Sequence, residues 1–161
     1  MQTDEIRKIR ERITRARALL LAAVEKLDPS SWEWQPGDGR WSIRLVLAHV
    51  GSSQWSHLEV ARRVTAGEQT GIPDFDLDTW NIAHVAERAD WPVERILDDL
   101  ETAQRETLAF LDGIDAETLA ATGSHPALGH VTVGQALRII AVHDGMHRRD
   151  ILKLLGEMRN D

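Results

Sequence analysis

His143 and His147 stand four residues apart in the stretch His143-Asp144-Gly145-Met146-His147, inside a run from Thr132 to Leu155 that reads as a helix. Side chains at that spacing lie about 40° apart around a helix and about 6 Å apart along it. Both imidazoles therefore project from one face and can converge on one ion. Ile140, Ile151 and Leu154 share that face, so the pair points into a core, where unpaired polar atoms are costly. The pair alone is a weak signal, because the Glu of a zinc-protease HExxH is missing. His49 changes its weight. It lies beside the apolar face of a second core helix, with Ser52, Ser53 and Ser56 on the following turns of its side. Small residues there leave room for a ligand where a packed core would prefer Leu. Three neutral imidazoles with open positions are a common catalytic metal arrangement, and helical bundles build such sites from facing helices.

The remaining chemistry-bearing residues carry less. His57 is rotated about 80° from His49 at 100° per residue and is a poorer candidate for the same site. His57, His84, His125 and His130 are all expected to be exposed or structural. The serines have no readable acid–base relay, which argues against a serine hydrolase. No glycine-rich stretch has the spacing that cradles a phosphate.

The elements that must position these residues follow from periodicity. Ile6, Ile9, Ile13, Ala16, Leu20, Ala23 and Leu27 recur at steps of three and four, which predicts an amphipathic helix from about Thr3 to Leu27, capped by Thr3 or Asp4. Its many arginines read as a solvated face. A Pro- and Gly-rich connection, Asp28 to Trp41, carries Trp32, Trp34 and Trp41, expected to cover one end of the core and to wall a pocket. Ser42 caps a second helix running to about Ala66. A loop from Gly67 to Leu77 leads to a short helix from Asp78 to Arg88, capped by Asp78, and Trp91-Pro92 marks its far boundary. The third long helix spans about Val93 to Asp112. One further turn is expected over Asp115 to Ala121, then a loop from Thr122 to Val131 before the last helix. The expected architecture is an all-α four-helix bundle forming one domain over residues 1–161. The connection of roughly 25 residues between the second and third long helices is long for an antiparallel hop. It is expected to cross the bundle and give an up-down-down-up order.

Composition excludes several classes. A formal charge of −7 argues against nucleic acid, whose phosphates demand a basic surface. The stretch from Glu68 to Glu117, with 14 acidic and 3 basic residues, reads as a solvated face. The absence of Cys removes disulfides, thiolate ligands and a cysteine nucleophile, and fits a cytoplasmic protein. The polar start Met1-Gln2-Thr3-Asp4-Glu5 and the lack of a long apolar run predict neither a signal peptide nor a membrane span.

One pattern is shared with a known family. Trp34-x-Pro36, the run Gly37-Asp38-Gly39-Arg40-Trp41-Ser42-Ile43-Arg44, and Leu47-Ala48-His49-Val50 resemble the DinB/YfiT-like superfamily. His143-x-x-x-His147-x-x-Asp150-Ile151 resembles the other half of that family's site. The resemblance extends through helix order and length, including Asn81 in the mid-chain segment. It implies a four-helix bundle, often a homodimer, with a divalent metal, Zn or Ni, held by His49, His143 and His147. Some relatives are similar to thiol transferases that use mycothiol, bacillithiol or glutathione, including a maleylpyruvate isomerase. The implied activity is transfer of an external low-molecular-weight thiol to a small electrophile. A metal-dependent hydrolase of a small molecule and a non-catalytic metal- or ligand-binding bundle stand as alternatives. Trp41, Ser53 and Ser56 are expected in the pocket. Asp150 departs from the family, where Gln is frequent. Seven residues past His143, it returns to nearly the same face, where it would accept a hydrogen bond from His147 or a metal-bound water. The alternative is a surface carboxylate pairing with Arg149 or a first-helix arginine.

Overall fold

The computed structural model describes residues 3–160. Met1 and Gln2, part of the polar start, lie outside the described residues. Helix α1 spans Asp4–Ala22, and the Thr3 side chain caps it by accepting from the Ile6 N–H. Its stripe buries Ile6, Ile9, Ile13 and Leu20. The helix stops five residues short of the expected Leu27. The backbone tightens instead into three-residue turns through Ala23, Val24 and Leu27 just ahead of Asp28-Pro29. Asp28 then caps a short helix, α2 (Pro29–Glu33), within the stretch expected to be an irregular connection.

Helix α3 spans Ile43–Thr65 with Ser42 as its cap, α4 spans Leu77–Ala86, and α5 spans Val93–Gly113. Asp76, not Asp78, caps α4 by accepting from Thr79 N–H at 2.8 Å, so the helix starts one residue earlier than expected. After the short α6 (Ala116–Ala120), the expected loop is an antiparallel hairpin of β1 (Thr122–His125) and β2 (Gly129–Thr132). These four-residue strands carry little aliphatic alternation. The sequence pattern therefore concealed them, and tertiary contact holds the hairpin against α3. Gly123 makes that contact possible, since a Cβ there would sit 2.4 Å from Val64 Cγ2. Helix α7 (Val133–Met158) opens with a reciprocal capping box between Thr132 and Gln135.

Side-chain partners give the helix directions. Arg10 pairs with Asp112 at 2.8 Å, so α1 and α5 are antiparallel, with their ends matched start to finish. Arg138 pairs with Glu5, which sets α7 parallel to α1. Trp55 reaches Asp99 and Arg62 reaches Glu106, at 3.0 and 2.9 Å, so α3 and α5 run parallel. The bundle is therefore up-down-down-up, and the segment carrying α4 crosses its length between α3 and α5. Around the bundle, α7 packs between α1 and α3, and α5 packs against α3. Two apolar clusters fill the ends. One joins Leu20, Leu47, Leu100 and Leu154, and the other joins Ile9, Ala61, Leu111 and Leu137. No described helix is long and apolar enough to cross a membrane.

Candidate metal centre

The site lies between the first third of α3 and the middle of α7. His49 is presented by α3 and is 4% exposed, and α7 presents His143 and His147 one turn apart. The Nε2 atoms of His49 and His143 are 3.0 Å apart, and those of His147 and His143 are 3.1 Å apart. One nitrogen from each of the three residues lies within 4.8 Å of the other two. Burial holds the rings neutral. It pushes His49 to about 4, with a smaller push from His147, and His143 to about 2, again with His147 as the next cause. Burial also lowers His147, against an opposing pull from Asp150. Neutral imidazoles are the form that donates lone pairs to a metal.

The donor set fits a cation better than it fits hydrogen bonding. His143 Nε2 meets a second ring nitrogen on each of two sides. An imidazole nitrogen offers one proton or one lone pair, so His143 Nε2 can serve one of these contacts well and the second only by sharing it. A divalent ion shared by three lone pairs removes that conflict. On its other side, His49 Nδ1 is buried without a partner, and the Trp41 ring, 5.2 Å away between centroids, packs against His49 in place of a polar orienting group. Asp150 Oδ2 lies 2.9 Å from His147 Nδ1, off the line of a ring N–H, and the carboxylate is 54% exposed. Asp150 sits behind His147 and does not line the cavity, so it faces the ring and not a substrate.

The triad opens into a cavity of about 860 Å³ that also includes Trp41, Ser53 and Ser56. Trp55, Phe75, Trp80 and Leu128 make much of its wall apolar, and the α4 crossover contributes one side. Ser56 donates its hydroxyl to Ser52 O, and Ser52 donates to His49 O, so both hydroxyl protons serve the helix. His57 and His125 are buried against each other at the same cavity, with His125 brought there by the unforeseen hairpin. His84 stacks on Trp80, and His130 is exposed.

Arg17 corrects the reading of the first helix as carrying only solvated arginines. It is 3% exposed and donates to Asp144 Oδ2 and Oδ1 at 2.8 and 3.2 Å, Leu100 O at 2.9 Å and Gln54 Oε1 at 2.6 Å. Gln54 in turn donates to Thr107 Oγ1 at 2.9 Å. Residues of α1, α3, α5 and α7 thus meet in one satisfied polar network beside His143. The signal lay in the alternative step: four residues on from Ile13 and three back from Leu20 is Arg17, where the apolar periodicity takes Ala16, and Gln54, Thr107 and Asp144 interrupt the stripes of the other three helices. A polar residue at an apolar position on each of four helices points to a shared buried cluster.

Comparisons with known proteins give the chain's relatives. The family described as the DinB superfamily matches residues 12–151. A protein of Oceanobacillus iheyensis, named provisionally as the metal-dependent hydrolase OB0782, is 24% identical over 84% of this chain and 77% of its own. The fold is similar to that of YfiT from Bacillus subtilis, described provisionally as a metal-dependent hydrolase with an unusual four-helix bundle topology. That similarity has a TM-score of 0.79 at 20% identity and covers 98% of this chain and 90% of the other. It is also similar to TT2238, described as a four-helix bundle protein, with a TM-score of 0.68 at 22% identity over 92% and 98% of the two chains. At these identities the solved structures speak to the fold alone.

Proposed function

The chain belongs to the DinB superfamily, and on that premise we propose that it is a metal-dependent hydrolase of a small molecule, with His49, His143 and His147 as the metal ligands. The observation that carries the reading is the convergence of three neutral ring nitrogens at an open, largely apolar cavity. Zn and Ni both suit an all-imidazole set. Such an ion supplies Lewis acidity toward a carbonyl and a nucleophilic hydroxide at neutral pH. The protein's own contributions are distinct. The three neutral ligands leave the ion's charge unquenched, and Asp150 favours the His147 tautomer with its proton on Nδ1 and its Nε2 lone pair free. Trp41 packs against the His49 ring, and the aromatic walls offer an apolar surface to the substrate around the bond to be cleaved.

Transfer of an external thiol is the second reading. It is supported by the cavity volume of about 860 Å³, which has space for a thiol co-substrate beside a small electrophile; with no cysteine in the chain the thiol must come from outside, which fits the hydrolase equally.

Two measurements test these readings. Protein purified without a histidine tag should carry close to one divalent ion per chain, and His49→Ala or His147→Ala should abolish that occupancy. Unchanged occupancy in either variant removes the triad. A panel of small esters and amides, run beside a panel of low-molecular-weight thiols with an electrophilic acceptor, then separates the reactions. Chelator-sensitive cleavage without thiol supports the hydrolase, and turnover only with thiol supports the transferase. Pairing of two chains belongs to the same proposal because the family resemblance implies it. Light scattering should then give twice the chain mass of 18.1 kDa, and a monomer mass would discard that part.

A further inference from the structure

Two histidines outside the triad form a pair whose proton positions are dictated by the backbone. His57 lies on α3 two turns beyond His49, and His125 ends β1. Their rings stack with centroids 5.0 Å apart, and His125 Nε2 is 3.0 Å from His57 Nδ1. The pair is buried, at 9% and 7% exposure. The backbone N–H of Ala127 lies 3.1 Å from His125 Nδ1 and can only donate to it. That nitrogen therefore carries no proton. Burial lowers both rings, His57 to about 4, so each is neutral and holds one proton. The His125 proton must then sit on Nε2, from which it is donated to His57 Nδ1. The chain of donors leaves the His57 proton on Nε2.

That last N–H has no partner among the described residues, and it is not sealed away as His49 Nδ1 is. His57 lines the cavity that holds the triad. Three other donors there are committed, Trp55 Nε1–H to Asp99 at 3.0 Å and the Ser52 and Ser56 hydroxyls to their own helix, whereas Ser53, Asn81 and the ring N–H groups of Trp41 and Trp80 also line the cavity and lack the orienting relay that stands behind His57. The geometry points to His57 Nε2–H as the hydrogen-bond donor that seats an acceptor oxygen of the substrate, in register with His125 and the Ala127 backbone behind it.

Eight residues separate His57 from His49, a rise of about 12 Å along the helix. The oxygen therefore belongs to the far end of the ligand and not to the bond held at the triad. With Trp55, Phe75, Trp80 and Leu128 around it, the ligand class is an elongated apolar or aromatic molecule carrying a carbonyl-type acceptor at the end away from the triad. The word substrate rests on the function proposed above, whereas the donor itself does not depend on a metal.

The test uses acetophenone and ethylbenzene, two probes of similar size of which only the first carries an acceptor oxygen. In histidine-labelled, zinc-reconstituted protein, nitrogen-15 NMR should show the His57 and His125 protons on Nε2. The His57 Nε2 signal should move on titration with acetophenone and stay still with ethylbenzene. His57→Asn keeps an amide within reach of His125 and presents nothing to the cavity. It should weaken acetophenone binding roughly threefold to tenfold, the worth of one neutral hydrogen bond, and leave ethylbenzene binding unchanged. His57→Gln, which extends an amide further, should recover part of the loss. A His57 proton on Nδ1, no response to acetophenone, or an equal response to both probes overturns the assignment. Absence of metal uptake with the His57 response intact removes the hydrolase reading alone.

Discussion

Asp150 stands beside the candidate metal centre without entering it. Its carboxylate is 2.9 Å from His147 Nδ1, yet half exposed and outside the cavity, so it can bias the ring and cannot serve a substrate. Partners of this kind commonly change metal affinity by about 10–100-fold when lost. Solvent screening and imperfect alignment place Asp150 at the low end. Asp150→Ala should therefore lower metal affinity about tenfold in competition against a chelating dye, with full occupancy still reached at saturating metal. An unchanged affinity would make Asp150 a surface carboxylate with no part in the site. Asn at the same position keeps an acceptor and should recover most of the loss.

At the scale of elements, the hairpin and the crossover shape the cavity that two long helices alone would leave open. β1 lies so close to α3 that Gly123 has no room for a side chain, its missing Cβ falling 2.4 Å from Val64 Cγ2. Gly123→Ala should destabilise the fold by about 1–3 kcal/mol, the usual cost of forced overpacking. Urea unfolding checks this, and adding Val64→Ala should recover part of the loss because the two sites share one contact. If Gly123→Ala is neutral, the hairpin is free to move from α3. His125 would then not be held against His57, so the same variant also probes the floor of the cavity.

Across the whole molecule, the network of Arg17, Asp144, Gln54 and Thr107 ties one residue from each of the four long helices into a single buried cluster. Asp144 neighbours His143 and turns away from it toward Arg17, so the ion pair anchors α7 from behind the site. Burial pushes the Asp144 carboxyl up while Arg17 draws it down, and only the pairing keeps a charge there tolerable. Arg17→Met should cost about 3–5 kcal/mol in urea unfolding, because it leaves a buried carboxylate unpaired. The double variant Arg17→Met, Asp144→Leu should recover most of that stability. We expect it to bind the divalent ion more weakly than the parent, since the lock on α7 is gone. Parent-like metal affinity in a stable double variant would show that apolar packing alone sets the site.

Much of the arrangement was legible in the chain. The apolar steps of three and four located the four long helices, since one stripe per helix must be buried. The length of the crossover set the order up-down-down-up, because a short turn cannot return the chain to the same end. Spacing put His143 and His147 on one face, and small neighbours singled out His49. Periodicity is a local property, however, and it reports which face is buried without reporting what is buried against it. Asp76 took the cap expected of Asp78, and α1 ended at Ala22, because cap geometry depends on how the flanking loop is held. The hairpin, the His57–His125 pair and the burial of Arg17 all arise from contacts between segments distant in sequence. Arg17 looked solvated because its charge is favourable in water. Only the simultaneous presence of Asp144, Gln54 and the Leu100 carbonyl, brought by three other helices, makes its burial favourable.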